Sequence, residues 1–109
     1  MAASIVSGTL DLLILKTLAA GSMHGYGIAS HIKRLSRDAL RVEEGSLYPA
    51  LQRMKVKAWV ASEWKTSPTG RKARYYTLTT AGRRQLGQET EEFNQSIAAI
   101  SRVLRSAES

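Results

Sequence analysis

Cysteine is absent from the 109 residues, which removes disulfides and thiolate metal sites from consideration. A long uninterrupted apolar run is also missing. The most apolar stretch, Thr9 to Ala20, contains Asp11 and Lys16 and has no basic region before it. It therefore reads neither as a membrane span nor as a secretory signal, and the expected location is the cytoplasm, with no membrane partner. Acids are scarce, with 9 Asp and Glu against 16 Lys and Arg. No catalytic constellation stands out. His24 and His31 lie on one expected helix without a third ligand, so packing or surface roles are expected rather than a metal site. Glu43 and Glu44 are adjacent acids at an expected helix start, where the helix dipole favours negative charge, so a capping role is expected. No serine has a convincing His/Asp arrangement. Neither an enzyme nor a cofactor is expected.

What is present is positive charge, and it is concentrated. The whole chain carries +7 and has an isoelectric point of about 10.2. Between Leu51 and Arg84, nine Lys and Arg stand against the single acid Glu63. A basic protein favours a polyanionic partner, and clustering in one third of the chain sharpens that expectation.

The hydrophobic spacing gives an element order. Thr9–Ala20 reads as a helix apolar nearly all round, which a small domain is expected to cover only with help from a second subunit. Met23–Ser36 reads as the next helix, with Tyr26, Ile28, Ala29, Ile32 and Leu35 at apolar positions. Gly25 and Gly27 in its first turns are expected to permit close packing, because no strand precedes them as a phosphate loop would require. Leu40–Val42 reads as a short strand. Glu43 to about Lys57 is the central helix, with Leu47, Leu51, Met54 and Ala58 as its buried stripe and Pro49 in its first turn. Trp59–Lys65 and Ala73–Thr79 read as a hairpin with a basic tip, and at least one of Tyr75 and Tyr76 is expected in the core. Thr79 or Thr80 caps a last helix to about Ser106, whose Leu86, Phe93, Ile97, Ile100 and Leu104 form a heptad-like seam interrupted at Thr90. Such a helix is longer than a domain of this size is wide, so a second copy is the expected partner for the seam. The fold class is mainly α with a small β-hairpin: a winged helix-turn-helix over residues 1–80 and a C-terminal dimerisation helix over 81–109.

Four segments carry a resemblance. Gly8–Leu15 (GTLDLLIL), His24–Ile28 (HGYGI), Glu44–Leu51 (EGSLYPAL) and Arg74–Thr79 (RYYTLT) with Gly82 are together similar to the PadR family of bacterial transcriptional regulators, in its short form with one C-terminal helix. The resemblance implies a homodimeric repressor of double-stranded DNA that responds to stress or to a small hydrophobic effector. It also implies phosphate contacts for Ser46 and Tyr48, although core packing is an equal expectation for Tyr48. One departure is visible. The family usually carries a polar run and then Gly before the first wing strand, where this chain has Lys55-Val56-Lys57-Ala58. A left-handed Ala there costs on the order of 1 kcal/mol relative to Gly, so a reshaped helix end is expected.

On the central helix, Gln52 and Arg53 lie off the apolar stripe and are expected at base edges or neighbouring phosphates. Lys65, Arg71, Lys72 and Arg74 of the hairpin are expected on the DNA backbone, the tip being a turn without fixed geometry. Leu86, Phe93, Ile97, Ile100 and Leu104, helped by Leu10 and Ile14, are expected at a dimer interface. Phe93 is the only aromatic of the last helix and is read as a seam residue. The competing reading is a winged-helix module for protein–protein contact with no specific DNA site, since fold alone does not give function.

Overall fold

The computed structural model describes residues 9–107 and the backbone of a two-residue strand, β1 (Ala3–Ser4). The order continues α1 (Thr9–Ala19), β2 (Met23–His24), α2 (Gly25–Leu35), β3 (Leu40–Arg41), α3 (Glu44–Val56), β4 (Val60–Thr66), β5 (Lys72–Leu78) and α4 (Thr80–Leu104). This is a winged helix with a long C-terminal helix. Gly8 of the first family-like segment lies outside the described residues.

The leucine-rich α1 is central because it can be covered on nearly every side. It packs against α2, α3, α4 and β5. Ile14, Leu15 and Leu18 are buried, together with Ile28, Ile32, Leu47, Leu51, Met54, Val60, Tyr76 and Leu78. The one polar residue in this core, Thr17, donates its hydroxyl to the Leu13 carbonyl at 2.8 Å, so its burial leaves no unmet donor. One chain buries Ile14, Leu15 and Leu18 fully and leaves Leu10, Leu12 and Leu13 partly exposed. Tyr26 and Leu35, expected as core positions of α2, are exposed instead; the stripe that faces α1 is Ile28 and Ile32.

Residues 23 and 24 are not helical. They form β2, the third strand of an antiparallel sheet in the order β2-β5-β4, with Met23 opposite Tyr76 and Val60 opposite Leu78. The periodicity of two residues is too short to be read as a strand, which explains the earlier expected helix start. β1 and β3 pair in parallel, Ala3 with Leu40 and Ser4 with Arg41.

The helix ends are defined by backbone hydrogen bonds. His24 caps α2, its Nδ1 accepting from the Gly27 N–H at 2.9 Å. At the end of α3, the N–H of Ala58 reaches the Lys55 carbonyl at 3.0 Å and that of Trp59 reaches Met54 at 2.9 Å. This is a complete Schellman motif. Ala58 occupies its left-handed position with φ +63°, so the helix end is regular rather than reshaped. Ala58 is exposed and beyond the helix, not a fourth core position. Pro49 is the sixth residue of α3, past the first turn in which it was expected. Its ring removes the bond that the Gly45 carbonyl would accept, and both residues are exposed, so water can replace it. Glu43 is the N-cap of α3 but its side chain makes no capping bond, which limits both acids to a dipole role.

Thr79 joins α4 to the hairpin. Its hydroxyl donates to the Ala58 carbonyl at 2.6 Å, lies 3.0 Å from that of Trp59, and accepts from the Gly82 N–H at 3.0 Å. Gly82 lies so close to the hairpin that a Cβ there would collide with the Trp59 carbonyl and stand 2.6 Å from Leu78 Cδ1. The first turns of α4 therefore belong to the winged-helix body, and Leu86 packs on its core. The later turns do not. The molecule measures 60 × 33 × 22 Å, its length drawn out by α4.

Candidate nucleic-acid interface

α3 divides cleanly into two faces. Leu47, Ala50, Leu51 and Met54 are buried, while Gly45, Ser46, Tyr48, Pro49 and Gln52 are exposed. The exposed N-terminal half carries the hydroxyls of Ser46 and Tyr48 and the acid Glu44, with a dipole positive at its start; hydroxyls and helix N–H groups suit approach to a sugar-phosphate backbone. Tyr48 packs on α2 without entering the core. Its ring lies over Gly25, where a Cβ would stand 2.6 Å from the Tyr48 hydroxyl, yet the residue remains nearly half exposed. The glycine at 25 thus permits α3 to pack closely on the start of α2, as the close-packing expectation for this segment required.

The hairpin presents two unlike faces, because side chains alternate along a strand. One face carries Lys65, whose Nζ lies 3.3 Å from Glu63 and over the Tyr75 ring. Lys65 is therefore already partnered within the hairpin, apart from the other basic residues expected at DNA. The opposite face carries Trp64 and Arg74, which are cross-strand partners. It forms one wall of a cleft of about 670 Å³, the other wall being Gly25, Tyr26 and Tyr48. Arg71, Lys72 and Arg74 line this cleft, and among the described residues no Asp or Glu does. Burial raises the pKa of Tyr76 at the cleft floor, opposed by the charge of Arg74 and reinforced by Tyr48.

The hairpin tip has a definite geometry, contrary to expectation. Gly70 N–H bonds Ser67 O at 2.9 Å, Ser67 N–H bonds Arg71 O at 2.7 Å, and Gly70 takes φ +84°. Lys72 is a strand residue rather than a turn residue.

Arg53 has a partner within the chain. Its Nη2 reaches back to Asp11 Oδ1 of α1 at 3.2 Å, away from the exposed N-terminal half of α3. An exposed pair of this kind is worth roughly 0–1 kcal/mol, so it orients Arg53 without immobilising it. Gln52 remains free of such a tie among the described contacts. The histidines also have structural partners: His24 caps α2, and His31 Nδ1 lies 3.2 Å from Arg34.

Of the residues expected at a dimer interface, Ile14 is fully buried within its own chain and has no surface to offer. Leu10 and Leu86 are half-buried against the same core. Phe93, Ile97, Ile100 and Leu104 are 39, 45, 53 and 79 % exposed. Among the described residues no helix is long and apolar enough to cross a membrane. Sequence reasoning missed Trp64 and Tyr26 as surface residues. For Trp64 the neighbouring Lys65, Arg71 and Lys72 were an available signal; for Tyr26 the sequence offers none, and both had been absorbed into strand and helix patterns.

A three-helix body, an α3 with one open polar face and a basic two-stranded wing define a winged-helix protein of the DNA-binding class. The chain belongs to the transcriptional regulator PadR-like family, whose model matches residues 14–88. It is 29% identical to a PadR family transcription regulator from Clostridium difficile, covering 89% of this chain and 99% of that one with a TM-score of 0.77. It is 26% identical to a transcriptional regulator from Clostridium thermocellum, covering 87% and 92%, with a TM-score of 0.80. A 37.1 kDa protein of a transposon from Streptomyces fradiae is 39% identical over 98 residues, which span 89% of this chain but only 26% of that protein.

Proposed function

We propose that this regulator is a homodimeric, sequence-specific repressor. The observation that carries the reading is the cleft between Tyr48 of α3 and the cationic face of the wing, lined among the described residues by Arg71, Lys72 and Arg74 and by no carboxylate. The basic face of the wing then stands beside the exposed face of α3, meeting it at Tyr48, an arrangement that suits simultaneous contact with a major groove and the adjacent backbone. Ser46 and Tyr48 would meet phosphate at the start of α3, and Gln52 would read a base edge. Arg71, Lys72 and Arg74 would supply affinity from the wing. Occupying an operator blocks polymerase by exclusion, an outcome that needs only DNA contact. The exposed seam of α4 supports pairing of two copies, because a partner helix removes apolar surface that one chain leaves in water. A small hydrophobic effector would need that second copy. In one chain the groove between α1 and α4, lined by Thr9, Leu12, Phe93 and Ser96, holds only about 200 Å³.

The test is an electrophoretic shift on the region upstream of the protein's own operon, against random DNA at equal salt. Preferential binding of the upstream fragment is expected. Replacing Arg71 and Lys72 with Ala should weaken both DNAs alike and reduce the salt slope by about two units. Equal affinity of the unaltered protein for both fragments would remove the specific operator from the reading.

A further inference from the structure

We propose that Trp64 is a positioning residue for DNA binding, acting through Arg74. The proposal rests on the DNA-binding reading of the cleft. Trp64 is 63% exposed, a large indole left in water on the wing. It stands directly opposite Arg74 in the β4–β5 register, and the Arg74 guanidinium lies 5.4 Å from the ring centre. A guanidinium within cation–π range of an indole face is drawn to that face, and its remaining N–H groups can serve a bidentate partner. Among the described residues no carboxylate lines the cleft to take those N–H groups. The next residue along the strand makes the contrast. Lys65 points to the other face and is neutralised there by Glu63 at 3.3 Å. The wing thus keeps one cation internally satisfied and holds another, without a counter-ion, at the wall facing Tyr48 and the start of α2. The ligand this geometry fits is a phosphate of the DNA backbone passing between the wing and α3. A long, unsupported arginine would lose rotamer freedom on meeting that phosphate; the indole removes part of that loss beforehand.

The test measures binding of the full chain to a short mixed-sequence duplex across a salt series, because a backbone contact needs no operator. Arg74→Ala should reduce the magnitude of the salt slope by about one unit. Trp64→Ala leaves every charge in place yet should weaken binding roughly three- to tenfold. Trp64→Phe should recover part of the loss, since a phenyl ring still offers a face. The double variant Trp64→Ala/Arg74→Ala should bind no more weakly than Arg74→Ala alone, the signature of two residues acting as one unit. Circular dichroism should match in all four proteins, the two side chains lying outside the core. Unaltered affinity in Trp64→Ala would overturn the proposal, as would a double variant in which the two losses multiply in full. If the unaltered chain binds no duplex, the DNA-binding reading itself falls, a result distinct from either of these.

Discussion

Ala58 carries a conformation that its side chain opposes. Its φ of +63° places Cβ against the following carbonyl, and the Schellman bonds to Lys55 and Met54 hold it there. Ala58→Gly should therefore stabilise the fold by about 1 kcal/mol, less the entropy glycine adds to the unfolded chain. Urea titration at fixed protein concentration measures this, and a loss of stability would contradict the strain. Tyr76 gives a pH dependence of defined sign. Burial, the larger influence, raises its pKa in the folded state. Its contribution is then fully present below the unfolded value of about 10 and is lost as pH rises through the folded value. Tyr76→Phe should flatten the alkaline fall in melting temperature while leaving the neutral value nearly unchanged. At this scale the sequence was informative where chemistry is local. The threonine cap at 79 follows from rules about neighbouring residues, and the left-handed position at 58 follows from the family pattern that places Gly there. The Arg53–Asp11 pair joins residues 42 apart in the chain, and nothing in the sequence of α3 alone indicates that Arg53 turns toward α1.

The elements meet most tightly at the start of α4. Gly82 has no space for a methyl group because the Trp59 carbonyl, a backbone atom that cannot rotate away, occupies it. Gly87, one and a half turns later, has nothing within 4 Å. Gly82→Ala should cost about 1–3 kcal/mol through forced separation of α4 from the hairpin. Gly87→Ala should instead stabilise by roughly 0.5–1 kcal/mol through helix propensity. The pair of urea midpoints should move in opposite directions, and parallel shifts would refute the close approach. Four helices and the hairpin were legible because each repeats its apolar spacing over several turns or residues. β2 and the β1–β3 pair were not read as a third sheet strand and a parallel ladder, since a two-residue strand is defined by its distant partner. The same limit hid the cleft: Trp64, Arg74 and Tyr48 become neighbours only when the wing folds against α3.

At the scale of the molecule, apolar spacing alone does not separate a core from an interface, because both bury the same side chains. Ile14 and Ile97 illustrate this. Both sit on apolar helix stripes, yet Ile14 is closed inside one chain and Ile97 remains 45% exposed. The position along α4 decides the matter. Leu86 packs on the winged-helix body and Phe93 lines a groove with Thr9 and Leu12 of α1, while Ile97, Ile100 and Leu104 of the seam are progressively more exposed along a 60 Å molecule. A second α4 packed on this seam would convert that exposure into buried area at roughly 25 cal/mol per Å² of apolar surface. Replacing Ile97 and Ile100 with Asp places two like charges where the partner's apolar side chains would stand. A charge buried there without a counter-ion costs several kcal/mol, more than a modest helix seam returns. Light scattering should therefore report a dimer for the unaltered protein and a monomer for the double variant. The helical circular dichroism of the winged-helix body should persist in that monomer, because neither residue belongs to its core. Operator affinity should fall steeply as well, since two half-sites bound by one dimer act at high effective concentration and two separate monomers do not. A double variant that stays dimeric and folded would remove α4 from the interface and leave the exposed seam without its proposed partner.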